Sequence, residues 1–352
     1  MMPDHPSKMT SREDFISRIR MEGSKRTPTF LRDLTLGLDV NDTRTDAIFG
    51  KKYNSKESAN CILALQKIVG QDAVVGCIHT YSLEAFGGIT KYPSDGIPYL
   101  SGAPFDDISK MNEHDPDEIR DDLLAGMRDS YRLVRKMAPE LAVIMNIGGP
   151  VNTAGNFRGV ETFLMDTMMN PDIASKITEF SKNVMISMID FIGADNCDAV
   201  YIAAASDNPD MLGPEDFKKY SLTHMHDVTK YVHSEKLPII FHPHGIFSTE
   251  DRANILKDSI KTGIDGFQFA ENNEPSGILK QTKGNCSILG GVDAFTTLLM
   301  GPEKRIIRDT NLFLDALGRE DYVLTCSCSL NRGLPIQNVK TMIEAVREYD
   351  RK

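Results

Sequence analysis

Short, almost uninterrupted apolar runs alternate along the chain with longer stretches whose apolar residues recur every three or four positions. The runs LAVIMNIGGP (141–150), DAVYIAAAS (198–206), PIIFHPHG (238–245), DGFQFAE (265–271), CSILGGVD (286–293) and YVLTCSCSL (322–330) predict strands, the first entering a Gly-Pro loop. DAVVGCIHTY (72–81) predicts another, and RTPTFLRDLTLGLD (26–39) is the place for the first. Between them, GVETFLMDTM and PDIASKITEFSKNVMISMIDFIGA read as helices, the second started by Pro171 and Asp172. PEDFKKYSLTHMHDVTKYVHSEK predicts a helix with Pro214 in its first turn. STEDRANILKDSIKTG predicts one capped by Ser248 or Thr249 and stopped at Gly263. SGILKQTKG, GPEKRIIRDTNLFLDALG and LPIQNVKTMIEAVREYDRK continue the alternation to the end.

Strands that are apolar along their whole length are buried on both faces, as parallel strands are. Seven or eight strand–helix units with no Pro/Gly/Ser-rich linker between them predict an α/β fold, a (β/α)8 TIM barrel formed as one domain over residues 1–352, with residues 1–25 as an N-terminal helical extension. In such barrels the chemistry sits at the C-terminal ends of the strands. That places His79 and Tyr81, Asn146, Asp207, His242 and His244, Glu271, Asp293, and Cys326 with Cys328 at one mouth. Cys286 begins its strand and is expected at the opposite end.

HPH at a strand end puts two imidazoles on one side of the chain, because the side-chain period of a strand is two. Cys326 and Cys328 close the last strand at the same mouth. Imidazole and thiolate are zinc ligands, and three protein ligands leave a catalytic zinc a position for substrate. His242, His244 and Cys328 are the expected ligands, with Cys326 in reserve. Glu271 is placed to act as a further ligand or a proton shuttle, and Tyr81 to supply a proton or orient a substrate. The plainer alternatives are a core histidine at 242, packing cysteines at 326 and 328, and helix-capping roles for Asp207 and Asp293. His224 and His226 stand two apart on a helix, so they do not share a face and read as surface residues.

Composition narrows the classes. With 41% apolar residues among 352, the chain can bury a large core. A net charge of −10 with scattered Lys and Arg argues against nucleic acid as the partner. No run reaches the roughly 20 apolar residues that span a bilayer, and the polar start MMPDHPSKMTSRED has no apolar signal core, so a cytoplasmic protein without a membrane partner is expected. Six sparse, irregularly spaced cysteines do not make a disulfide framework. Cys61, Cys77 and Cys197 read as core residues.

Several blocks resemble the uroporphyrinogen decarboxylase superfamily, and within it the cobalamin-dependent methyltransferases. TSREDFISRI looks like the opening helix, and SLEAFGG (82–88), IGGPVNTAGNFRGVETFLMD (147–166), ILGGVD (288–293) and CSLNRGLPIQNVKTMIEAV (328–346) fall where that family has related blocks. The resemblance covers nearly the whole chain and implies a TIM barrel. It is weakest to the decarboxylases themselves: their block of paired arginines, which holds substrate carboxylates, is replaced by TPTFLRDLTLGLD with Arg32 alone. Family members that methylate coenzyme M bind zinc through His-x-Cys and a distant cysteine. His242 falls at that histidine, His244 at the first cysteine, and Cys328, seven residues before Pro335, at the second. Fewer thiolates leave more positive charge on the metal, which then acts as a stronger Lewis acid toward oxygen. Asp258, Cys286 and Cys326 also stand in a D-x27-C-x39-C spacing similar to the zinc-ligand spacing of aryl-ether O-demethylase methyltransferases.

What the resemblance implies is a zinc-dependent methyltransferase. It would move methyl from a methoxylated, aromatic ether substrate to the Co(I) cobalamin of a separate corrinoid protein, since the chain has no DxHxxG cobalamin motif of its own. The alternative is transfer from a methylated corrinoid protein to coenzyme M or tetrahydrofolate. A decarboxylase and a non-catalytic metal-binding barrel stand further off. The methyl donor or acceptor is a small molecule, and homo-oligomerisation is left open.

Overall fold

The computed structural model describes residues 9–24, 26–50, 52–79, 83–318 and 321–352. Seven parallel strands pair in chain order: β1 (Ala73–Val75), β2 (Ala142–Gly148), β3 (Ala199–Ala204), β4 (Ile239–Pro243), β5 (Gly266–Gln268), β6 (Ser287–Val292) and β7 (Tyr322–Cys326). Strands β1 and β3–β7 are buried at all or nearly all of their positions, and β2 at all but its last, because helices cover the outside and side chains fill the lumen. The sheet curls until its edges meet across a short eighth stave at residues 29–30. Phe30 N donates to Leu324 O of β7, and Ala73 N of β1 donates to Thr29 O. The ring is thus a (β/α)8 TIM barrel with one abbreviated strand. That strand breaks at Leu31, whose N–H donates to the Gln71 side chain instead of a neighbouring strand, and pairing resumes at Asp33 opposite Leu330. The break lifts Arg32 to the mouth.

Outer helices include α1 (Ser11–Ile19), α2 (Ser55–Val69), α3 (Asp122–Met137), α4 (Pro150–Arg158), α5 (Pro171–Ile192), α6 (Thr223–Ser234), α7 (Ala253–Lys261), α8 (Glu303–Leu317) and α9 (Ile336–Asp350). Helix α1, held by a Thr10–Glu13 capping box, buries Phe15 and Ile19 against the barrel. Three expectations need correction. The Gly-Pro loop after β2 is helical, since Pro150 occupies the first turn of α4. The helix expected over 214–236 contains a π turn, Phe217–Leu222, before α6. His224 is buried on α6 with Nδ1 3.5 Å from Glu179, and only His226 is exposed.

Glycines let β6 lie close to its neighbours. A Cβ on Gly291 would stand 1.8 Å from the Thr325 carbonyl oxygen, and one on Gly290 would stand 2.2 Å from the Phe269 ring. No helix among the described residues is long and apolar enough to cross a membrane.

Candidate metal centre

Strand β4 ends at the mouth with His242 buried in its last turn of pleat and His244 just beyond. Their rings lie 5.0 Å apart between centroids, as one-residue spacing on an extended chain requires. Cys328 lies two residues past β7, and its Sγ is 3.9 Å from His244 Nε2. One ligand atom from each of His242, His244 and Cys328 falls within 4.8 Å of the others, and this is the metal-capable group among the described residues.

The environment prepares these atoms. His242 Nδ1 lies 3.1 Å from the Gln268 carbonyl oxygen. A carbonyl only accepts, so Nδ1 carries the proton and Nε2 keeps its lone pair. That Nε2 is buried and reaches no partner in hydrogen-bonding geometry. Burial, opposed by the Cys328 sulfur and helped by the nearby His244 ring and the Arg32 guanidinium, pushes the His242 pKa down and favours the neutral ring. For Cys328, burial opposes the thiolate. The imidazoles of His242 and His244 and the guanidinium of Arg32 outweigh it and bring the pKa down to about 4. Arg32 Nη2 is 3.9 Å from the sulfur, and its guanidinium lies 5.5 Å over the Tyr201 ring. A neutral imidazole with a free lone pair beside a thiolate is the donor chemistry that a soft divalent ion takes.

Other expected residues fall elsewhere. The Cys326 thiol donates to the Cys328 carbonyl oxygen at 2.8 Å, and burial pushes its pKa up to about 12. Glu271 borders a separate cavity of about 230 Å³, with Asp293, Arg305 and Asp309, that none of the three clustered residues lines. Tyr81 lies outside the described residues. His79 is half-buried, its pKa lowered to about 4 by desolvation and by Arg32. The Asp258, Cys286, Cys326 spacing brings nothing together. Asp258 sits on α7, paired with Lys261 at 2.9 Å and Lys218 at 3.4 Å. Cys286 is at the opposite end of the barrel, where burial and the charges of Asp265 and Asp321 raise its pKa to about 12. Asp293 caps the turn that follows it, but Asp207 caps α4, an earlier helix.

Sequence reasoning gave no role to Gln268 or Tyr201. The signal was present: a glutamine inside the apolar strand DGFQFAE is a buried polar group that must be bonded.

A (β/α)8 barrel with two imidazoles and one thiolate at its C-terminal mouth is a barrel protein equipped for a soft divalent metal. Comparison then gives its family: the uroporphyrinogen decarboxylase (URO-D) model matches residues 10–349, and the chain belongs to that family. It is similar to the methylcobamide:CoM methyltransferase MtaA of Methanosarcina barkeri (strain Fusaro), 24% identical over 235 residues. A second M. barkeri protein of the same name is 23% identical over 235 residues. Each match spans 66% of this chain and 66% of the relative, about two thirds of the relatives' length. In fold it resembles a methyltransferase from Methanosarcina mazei, with a TM-score of 0.83 at 18% identity over 97% of this chain and 99% of that one. It also resembles a B12-independent methionine synthase from Shewanella sp. W3-18-1, with a TM-score of 0.52 at 10% identity over 93% and 95% of the two chains.

Proposed function

We propose that this chain is a zinc-dependent methyltransferase that moves a methyl group between a small molecule and the cobalamin of a separate corrinoid protein. The observation that carries the reading is the convergence of His242, His244 and Cys328 within 4.8 Å at the barrel mouth. The unpartnered, buried His242 Nε2 and the low-pKa Cys328 thiol fit a metal there. Zinc held by these residues would supply a Lewis acid to the substrate atom that gives up or takes the methyl group. Gln268 O holds the His242 ring in the ligating tautomer, and Arg32 favours the thiolate form of Cys328.

A methoxylated aromatic ether is the proposed donor, because one thiolate and two neutral imidazoles leave the ion more positive than two thiolates do. A second reading has its own support in the similarity to proteins named methylcobamide:CoM methyltransferase: transfer from methylated corrinoid to a thiol. Neither reading uses Glu271 or Cys326 as a metal ligand, since neither lies in the clustered group. All six cysteines are free, which suits the proposed cytoplasmic location.

Metal analysis of the parent, His242→Ala and Cys286→Ala proteins tests the centre. About one zinc per chain is expected in the parent and in Cys286→Ala, and none in His242→Ala. His242→Ala should also lose methyl transfer from a methoxyaromatic to Co(I) corrinoid protein while remaining folded by circular dichroism. Full activity in that variant, or a metal-free active parent, would overturn the proposal. Turnover only with methylcobalamin and a thiol would select the second reading.

A further inference from the structure

Gln268 is the last residue of β5 and is 1% exposed. Buried amides need partners for both ends, and Gln268 has them on two strands neither of which neighbours its own. Tyr201 Oη, on β3, donates to Gln268 Oε1 at 2.8 Å. Gln268 Nε2 donates to the Cys326 carbonyl oxygen, on β7, at 3.1 Å. Strand β6 stands between β5 and β7, with its Leu289 paired to Gln268 and its Val292 to Cys326, so the amide bond spans a whole intervening strand. The main-chain oxygen of the same Gln268 accepts from His242 Nδ1 on β4. All four residues are essentially sealed from solvent.

The orientation of the amide is forced. Flipped, its oxygen would face the Cys326 carbonyl, acceptor against acceptor, and the bond across β6 would be lost. From Cys326 the bracing runs on toward the sulfur ligand, because the Cys326 thiol donates to the Cys328 carbonyl oxygen. One residue therefore carries the oxygen that orients His242 and grips the backbone that carries Cys328.

We propose that Gln268 is the positioning residue of the metal centre: by bonding across the barrel to Cys326, it sets the separation between the His242 imidazole and the Cys328 thiolate. This rests on the reading of His242, His244 and Cys328 as ligands. Metal–ligand lengths tolerate only about 0.2 Å, so a small relaxation of β5 away from β7 degrades the site. Tyr201 supports the arrangement by holding the far end of the amide.

The test compares the parent with Gln268→Glu, Gln268→Leu and Tyr201→Phe. Glutamate keeps the length and accepts from Tyr201, but as a carboxylate it cannot donate to Cys326. Zinc affinity is read by competition with a chromogenic chelator, and the coordination by the absorption spectrum of the Co(II)-substituted protein. Both Gln268 variants should bind zinc roughly tenfold to a hundredfold more weakly and shift the Co(II) bands. Tyr201→Phe should show a smaller loss in the same direction, and since it removes only a hydroxyl it carries the test if the Gln268 variants do not fold. Parent-like affinity and spectra in the folded variants would overturn the positioning role while leaving the ligands standing. A parent that binds no zinc would overturn both.

Discussion

Cys328 is the cysteine of the six whose thiol is pulled toward its anion. Burial drives the others the opposite way, Cys61 to about 11 and Cys77, Cys197, Cys286 and Cys326 to about 12. Metal-free protein should therefore be alkylated by iodoacetamide at Cys328 at a rate nearly flat from about pH 5 to pH 8. An ordinary thiol would slow about tenfold per pH unit over that range; mass spectrometry of the labelled peptides distinguishes the two. The sign of the linked stability follows. The native thiol ionises above about 4 and the unfolded one only near 9.0, so this group's contribution is complete above 9.0, shrinks as pH falls, and is gone below about 4. The pair His242 and His244 was legible because a strand's period of two and a strand end are both sequence properties. Cys328 was preferred to Cys326 from the sequence too, but the physical reason was not legible there. It depends on how the chain turns after β7, where Cys326 bonds the Cys328 carbonyl and leaves Cys328 Sγ facing His244.

At the scale of elements, Asp207 shows how one carboxylate assembles a corner of the barrel. Fully buried, it accepts from Val151 N at 3.2 Å, Asn152 N at 2.9 Å and Ser221 Oγ at 2.6 Å. It thereby joins the end of β3 to the start of α4 and to the π turn before α6. Desolvation, only partly offset by these donors, raises its pKa to about 6. Asp207→Ala leaves three donors unsatisfied and should destabilise the protein by about 2 kcal/mol. Urea unfolding at pH 7 measures it, and a change under about 0.5 kcal/mol, ordinary for a surface substitution, would contradict the role. Strand and helix positions were readable from period and apolar run length. Asp207 as the cap of an earlier helix was not, because capping was sought forward along the chain while the bond crosses between adjacent strands. The match of Asp258, Cys286 and Cys326 to a ligand spacing fails for a related reason: linear spacing does not say that α7 lies outside the barrel, or which end of β6 a residue occupies.

For the whole molecule, closure rests on Asp72 at the foot of β1. Its carboxylate takes Ser11 Oγ at 2.8 Å, Arg26 at 2.7 Å, Thr29 N and Thr29 Oγ1 at 2.9 Å, and Arg347 at 2.8 Å. It joins α1, the abbreviated stave and the closing helix α9. Burial alone would raise its pKa; the guanidinium groups of Arg347 and Arg26 outweigh that and hold it below the usual carboxylate range. Its stabilisation is thus complete above the ordinary value of 3.8 and lost as pH falls below it. Asp72→Asn should cost about 3 kcal/mol at pH 7, since it leaves two partly buried cations facing a neutral amide. The variant should also lose part of the parent's fall in melting temperature between pH 5 and pH 3. A melting temperature equal to the parent's across that range would show that closure does not depend on this clasp.

By itself the sequence determined the barrel and the mouth at which the candidate site residues stand. Continuous apolar runs demand burial on both faces, and alternation with amphipathic helices leaves a parallel barrel as the economical way to provide it. Strand-end chemistry then followed from position alone. Only the tertiary structure decided which of those residues meet. His242, His244 and Cys328 converge because β4 and β7 curl around one lumen, whereas Glu271 leaves its strand toward another cavity. Gln268 gained its partners in the same way. Its bond to Cys326 joins residues 58 apart in the chain, across the whole width of the intervening strand β6. Local pattern reports which face a residue presents, and a long-range hydrogen bond exists only once the ring has closed.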